Sequence, residues 1–168
     1  AAGGAALPQA GRQAGIAAGV AVHGGASGGA VGVALARPGR MLVHGLAMDD
    51  AVALAARKAI VAAGLYGVAA AERWRFPAAQ RRLPYAAELV NLVIVEQAAL
   101  RAAGVDAAEV MRVLAPGGAA CFHAEDGTWR TAVKPRPAAM DDWTHFDYDC
   151  TNNAVSHDRL AGPVTTLK

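Results

Sequence analysis

The sequence predicts an α/β domain: a largely parallel sheet with helices on both faces, a C-terminal β-hairpin, then an irregular extended tail. Three observations lead there. Short apolar runs alternate with amphipathic stretches from residue 16 to residue 114. The run Leu89-Val90-Asn91-Leu92-Val93-Ile94-Val95 is apolar at nearly every position, the pattern of a strand covered on both faces. Finally, Glu125-Asp126-Gly127 separates two further apolar runs as a hairpin turn does.

Residues 1–15, rich in Ala, Gly and Gln, form an uninformative lead-in. Ile16 to Val22 is a small apolar first strand that runs into Gly24-Gly25-Ala26-Ser27-Gly28-Gly29. Gly29 to Ala36 reads as a short helix closed by Arg37-Pro38-Gly39-Arg40, and Met41 to Leu46 as the second strand. Asp49 or Asp50 caps the next helix, because a carboxylate accepts the free N–H groups of a first turn. Val52, Ala55, Ala56, Ala59 and Ile60 form its apolar stripe, and Gly64 stops it. Val68 to Ala71 is a weak third strand, and residues 72–88 carry the charges and prolines of a surface connection. After the fourth strand, Gln97 to Ala103 is a helix ending at Gly104. Asp106 caps another, with Glu109 at capping-box spacing, and Pro116-Gly117-Gly118 ends it. Ala119 to His123 and Thr128 to Val133 are the hairpin strands. From Lys134 onward the composition shifts to Pro, Trp, Asp and Asn with little periodicity. The expected organisation is a lead-in (1–15), an α/β domain (16–133) and a tail (134–168).

Composition bounds the function. The 168 residues suit one domain with a small appendage. Net charge is +2 with both signs scattered, and no basic stripe interleaves with aromatics, which argues against nucleic acid as a partner. No apolar run approaches the roughly 20 residues of a membrane span. No compact apolar segment marks a signal peptide, and a start at Ala1 suggests a processed protein or a fragment. Cys121 and Cys150 do not decide the redox compartment.

Four segments, in order, carry a resemblance. Val20-Ala21-Val22-His23-Gly24-Gly25-Ala26-Ser27-Gly28-Gly29, Val43-His44-Gly45-Leu46-Ala47-Met48-Asp49-Asp50, Leu83-Pro84-Tyr85 before the fourth strand, and Glu109 to Gly118 with its Arg-Val-Leu-Ala-Pro-Gly-Gly ending are the pieces. Together they resemble the class I S-adenosylmethionine-dependent methyltransferases, whose fold is Rossmann-like. The tail narrows this. Lys134, Pro135, Pro137, Asp142, Trp143, Thr144, His145, Asn153, Val155, Asp158, Gly162 and Pro163 are similar to a linker in large bacterial, especially planctomycete, proteins. There it joins a methyltransferase-like domain to a β-propeller of the PQQ-dependent, quinoprotein type. The resemblance implies a propeller of the same chain as partner and leans towards an exported, periplasmic setting.

The resemblance also assigns cofactor-binding positions: Gly25, Ser27 and Gly29 in the loop, Asp49 after the second strand, Trp74 after the third, and Tyr85. Glycines there let the backbone approach a ligand, and the following helix offers N–H groups. Three departures weaken the assignment. Ser27 stands where the family has its central glycine. Ala47 stands where an acid accepts both ribose hydroxyls; Asp49 either substitutes for that acid or caps the helix. Arg75 stands where an acid meets the adenine amino group, and arginine has no acceptor. Trp74 stacks on adenine or belongs to the core, and Tyr85 lines the crevice or packs. No catalytic residue is assigned, because the Asn/Asp-Pro-Pro-Tyr/Phe signature is absent and Val95-Glu96-Gln97-Ala98 occupies its place. No metal is assigned either, since His145, Asp147, Asp149, Cys150 and His157 match no structural zinc spacing and suit turns.

The expectation is therefore a degraded S-adenosylmethionine site in a methyltransferase-like domain that serves as a structural or interaction module. The alternative is an active small-molecule methyltransferase with rearranged contacts, in which Asp49 faces the glycine loop. A third reading, some other nucleotide, is disfavoured because the spacing is not Gly-x-Gly-x-x-Gly and position 47 carries no acid.

Overall fold

A computed structural model describes residues 15–25, 29–75 and 81–160. The chain divides into two compact units, residues 1–134 and residues 135–168.

The first unit is built on β1 (Gly19–Gly24), α1 (Ala30–Ala36), β2 (Met41–Ala47), α2 (Asp50–Ala62), β3 (Ala69–Arg73), β4 (Val90–Glu96), α3 (Gln97–Ala103), α4 (Ala107–Val113), β5 (Leu114–His123) and β6 (Trp129–Val133). One sheet orders the strands β3-β2-β1-β4-β5-β6. The first five are parallel, and β6 runs antiparallel to β5. The direction of winding reverses between β1 and β4, so the crevice of an open α/β sheet lies beyond the C-terminal ends of those two strands.

Side chains alternate across the sheet as the pleat requires. On one face Ala21, Val43, Leu92 and Ile94 meet Val31 and Leu35 of α1 and Ala56 and Ile60 of α2. On the other, Val22, Val93, Val95 and Ala120 meet Ala99 and Leu100 of α3 and Val110 and Val113 of α4. Leu92 through Val95 are all buried, which explains why β4 reads as a continuous apolar run. Each buried Val, Leu or Ile side chain is worth about 1.5–3 kcal/mol, so this central strand dominates the core.

Two local expectations are corrected. Pro116-Gly117-Gly118 does not end a helix; α4 stops at Val113 and the three residues sit inside β5. They form a bulge, with the β4–β5 register shifting between Val90 and Leu92. Gly117 N donates to Lys134 O (2.9 Å) and Lys134 N to Gly118 O (2.8 Å), so β6 holds the irregular segment. The second concerns Glu109. Asp106 caps α4, accepting from Glu109 N at 2.8 Å, but the Glu109 carboxylate does not turn back to complete the box. It accepts from Leu83 N (2.9 Å) and pairs with Arg112, whose bond holds its pKa below the usual carboxylate value.

The second unit has neither helix nor strand among its described residues, only a bridge between His145 and Tyr148. Its organising group is Asp141. The carboxylate accepts from Tyr148 Oη, His157 N (2.7 Å) and Ser156 Oγ (3.3 Å), bonds that lower its pKa to about 2, the Tyr148 bond foremost. The Trp143 and Tyr148 rings meet edge to face at 5.6 Å. Trp143 remains 58% exposed and Phe146 96% exposed.

Candidate functional site

The crevice is bordered by the ends of β1, β2, β3 and β4, and each contributes residues for a local reason. β1 ends at Gly24, and Gly25 turns the chain with φ +82° while its N–H donates to Leu46 O (3.0 Å). A Cβ at Gly25 would stand 2.9 Å from Ala99 Cβ. Gly29 caps α1 with φ +80°, and a Cβ there would lie 2.8 Å from Ala56 Cα, a backbone atom that cannot move aside. Both glycines are thus required by the packing of α1 and α3 against their neighbours, with or without a ligand. Ser27, with Ala26 and Gly28, lies outside the described residues.

At the end of β2, Ala47 is fully buried and its carbonyl accepts from Trp74 N at 2.7 Å. The position offers no side-chain acceptor. Asp49 is the N-cap of α2, its Oδ1 accepting from Val52 N at 2.8 Å. Asp50, one residue on, meets Arg73 Nη1 at 2.8 Å and Arg75 Nη2 at 3.6 Å. Trp74 is 4% exposed and packs with Val22, Leu46 and Leu83 in the core.

Tyr85 belongs elsewhere. Its hydroxyl meets His44 Nδ1 at 2.7 Å, and His44 Nε2 lies 3.4 Å from Glu72. His44 stands three residues before the end of β2, about 10 Å below the crevice rim. Burial pulls the His44 pKa below its usual value against the opposing charge of Glu72. Burial first, then Glu72, push the Tyr85 phenol above its own. Both shifts favour the neutral forms of the imidazole and the phenol. The pair fastens the 81–89 segment to the sheet, helped by Arg112 Nη2 donating to Tyr85 O (2.8 Å).

Gly25, Gly29, Asp49 and Trp74 thus gather at the strand ends, and Tyr85 lies lower on one sheet face. Sequence reasoning did not single out Arg73, whose signal was its spacing: residues 73 and 75, two apart on an extended chain, project to one side. It also passed over His23. This imidazole sits on β1 just before the glycines, between Gly45 and Ile94 in register, and is 4% exposed. Burial lowers its pKa from 6.5 to about 4. Glu96 ends β4 opposite His123 of β5, whose ring stacks on Trp129 at 4.5 Å. Among the described residues, no group of three or more His, Cys, Asp or Glu is placed to hold a metal ion. No helix among them is long and apolar enough to cross a membrane.

The fold is a Rossmann-like α/β domain, an architecture that solved methyltransferases share. A protein of Methanococcus maripaludis assigned to the S-adenosyl-L-methionine-dependent methyltransferases matches it with TM-score 0.60 at 19% identity, over 74% of this chain and 56% of that one. The geranyl diphosphate C-methyltransferase of Streptomyces coelicolor, in complex with Mg2+, geranyl diphosphate and S-adenosyl-L-homocysteine, matches with TM-score 0.58 at 16% identity, over 71% and 45%. The [4+2]-cyclase SpnF matches equally well, with TM-score 0.59 at 17% identity over 71% and 43%. The chain spans about half the length of these structures. No protein-family profile matches it, and no curated protein sequence matches it significantly. A cyclase on the same scaffold makes the point that the fold alone does not establish methyl transfer; the site has to decide.

Proposed function

We propose that this chain is a methyltransferase-like domain whose crevice no longer holds S-adenosylmethionine tightly enough for methyl transfer, and that it serves as a structural or interaction module. The observation that carries this reading is the end of β2. Ala47 is buried, without a side-chain acceptor, and the carboxylate two residues on, Asp49, is bonded to the α2 backbone. Beside it, Arg73 and Arg75 bring donors to a place where an adenine amino group needs an acceptor. Each unmet polar contact costs about 1–3 kcal/mol, so two of them turn a micromolar ligand into one near millimolar or weaker.

Thermal and urea unfolding with 1 mM S-adenosylhomocysteine tests the cofactor part. A ligand of about 10 μM Kd stabilises by about 2.7 kcal/mol at one hundred times Kd, whereas one of 1 mM Kd adds only about 0.4 kcal/mol. The proposal expects the smaller effect. A shift of the larger size would overturn the reading of a lost cofactor site.

The module's partner is a β-propeller of the PQQ-dependent type carried by the same protein. The tail residues that resemble such a linker support this, as do the exposed rings of Trp143 and Phe146, residue types enriched at interfaces. Sequencing the gene beyond the Lys168 codon tests it directly. Successive short strands with periodic Trp and Gly would support the fusion, and an immediate stop codon would end it.

A further inference from the structure

At the outer corner of the crevice, where β2 and β3 end and α2 begins, a concavity of about 280 Å3 is lined by Leu46, Asp50 and Trp74 together with three arginines, Arg57, Arg73 and Arg75. Two of the arginines converge on a single anion, and the third lines the same concavity. Arg73 Nη1 approaches Asp50 Oδ2 at 2.8 Å, and Arg75 Nη2 approaches Asp50 Oδ1 at 3.6 Å, so two guanidiniums each take one oxygen of the same carboxylate. The third, Arg57, spends Nε on Ala71 O at 2.6 Å, which leaves its two terminal nitrogens uncommitted by that bond. The other acid lining the corner, Glu72, lies 3.4 Å from His44 Nε2.

We infer that Asp50 stands in for an external anion, and that this corner binds a small phosphomonoester through its phosphate group. Charge and exposure both favour displacement of Asp50. Its side chain is 65% exposed, as are 45% and 78% of the two arginines, and ion pairs so open to water are weak. A second carboxylate would gain nothing over one already tethered in place. A phosphate dianion brings more charge and a third acceptor oxygen, enough to engage Arg73, Arg75 and Arg57 together, and guanidinium forks suit its geometry. The volume lies just below the usual range for small-molecule pockets, about 300–1,000 Å3, so the ester is small and a dinucleotide does not fit. The corner overlaps the place of the adenine in the proposed function, so the inference is consistent with a crevice that no longer holds the sulfonium cofactor.

The test is a titration of the whole chain with inorganic phosphate at pH 8 and constant ionic strength, read by NMR on backbone amides and arginine Nε–H groups. Saturable shifts confined to residues 49–57 and 72–75 are expected. Arg73→Gln with Arg75→Gln should weaken binding at least tenfold while circular dichroism stays unchanged, since both side chains are largely exposed. Asp50→Asn, which removes the internal competitor, should tighten binding about three- to tenfold. Glu125→Gln makes the same charge change at the β5–β6 turn, at the opposite edge of the sheet, and should leave the affinity alone. Shifts that never saturate, that spread over all arginines, or that respond equally to Asp50→Asn and Glu125→Gln would reduce the corner to nonspecific electrostatics and overturn the inference. S-adenosylhomocysteine would share Arg73, Arg75 and Trp74 with the phosphate, so competition at 1 mM would count against the cofactor reading alone, whereas unsaturable shifts with phosphate by itself count against this inference alone.

Discussion

Replacing His23 with leucine should remove a defined part of the acid sensitivity of the fold. In the native chain the imidazole is 4% exposed on β1, and burial lowers its pKa from 6.5 to about 4. The unfolded chain takes up this proton near pH 6.5, and the folded chain refuses it until about pH 4. Between those values the unfolded state binds more protons, so the contribution of His23 to stability is complete above pH 6.5 and is lost as the pH falls towards 4. A gap of about 2.5 pH units at about 1.36 kcal/mol per unit amounts to about 3 kcal/mol. Urea denaturation of both proteins, followed by far-ultraviolet circular dichroism from pH 8 to pH 4.5, reads the difference. The other shifted groups, His44 and Asp141 among them, are common to both chains and cancel. The difference in unfolding free energy should be constant above pH 7, then move by about 2–3 kcal/mol in favour of the leucine variant by pH 4.5. Parallel curves across that range would refute the burial of a neutral imidazole beneath the glycine turn.

Two further substitutions examine the crevice residues as parts of the fold. Gly29→Ala should cost at least about 2 kcal/mol, combining the left-handed penalty at φ +80° with a Cβ pressed to 2.8 Å from Ala56 Cα. Gly39→Ala, at φ +73° but with nothing within 4 Å, should cost only the conformational part, about 1 kcal/mol; equal costs in urea denaturation would contradict the packing role of Gly29. Asp49→Ala should destabilise by about 1 kcal/mol through loss of the α2 cap and leave any response to S-adenosylhomocysteine unchanged. Unaltered stability would free that carboxylate for a ligand and reopen the rearranged-site alternative.

Much of the scaffold was legible because its signals are local or periodic. β4 announces itself by burying four consecutive side chains, and Asp49, Asp106 and Gly104 mark helix ends through bonds formed within a few residues. The misreadings share one cause, which is a partner distant in sequence. Pro116-Gly117-Gly118 has every property of a helix stop, yet Lys134, brought alongside by β6, turns it into a bulge within a strand. Glu109 has capping-box spacing, but Leu83 N, brought in from another segment, bonds its carboxylate. The glycine loop was legible as a loop and ambiguous as a site, because the close approach of Ala99 and Ala56 demands glycine whether or not a cofactor is held. His44, Tyr85 and Glu72 come from three separate segments, and no spacing in the chain could have joined them.

Isothermal titration calorimetry of the chain with S-adenosylmethionine and with S-adenosylhomocysteine tests the central claim most directly. With no acceptor at Ala47, Asp49 capping α2 and arginines beyond β3, neither ligand should bind with a Kd below about 1 mM. Saturable heats corresponding to a Kd in the micromolar range would contradict the account and show that the crevice still holds its cofactor.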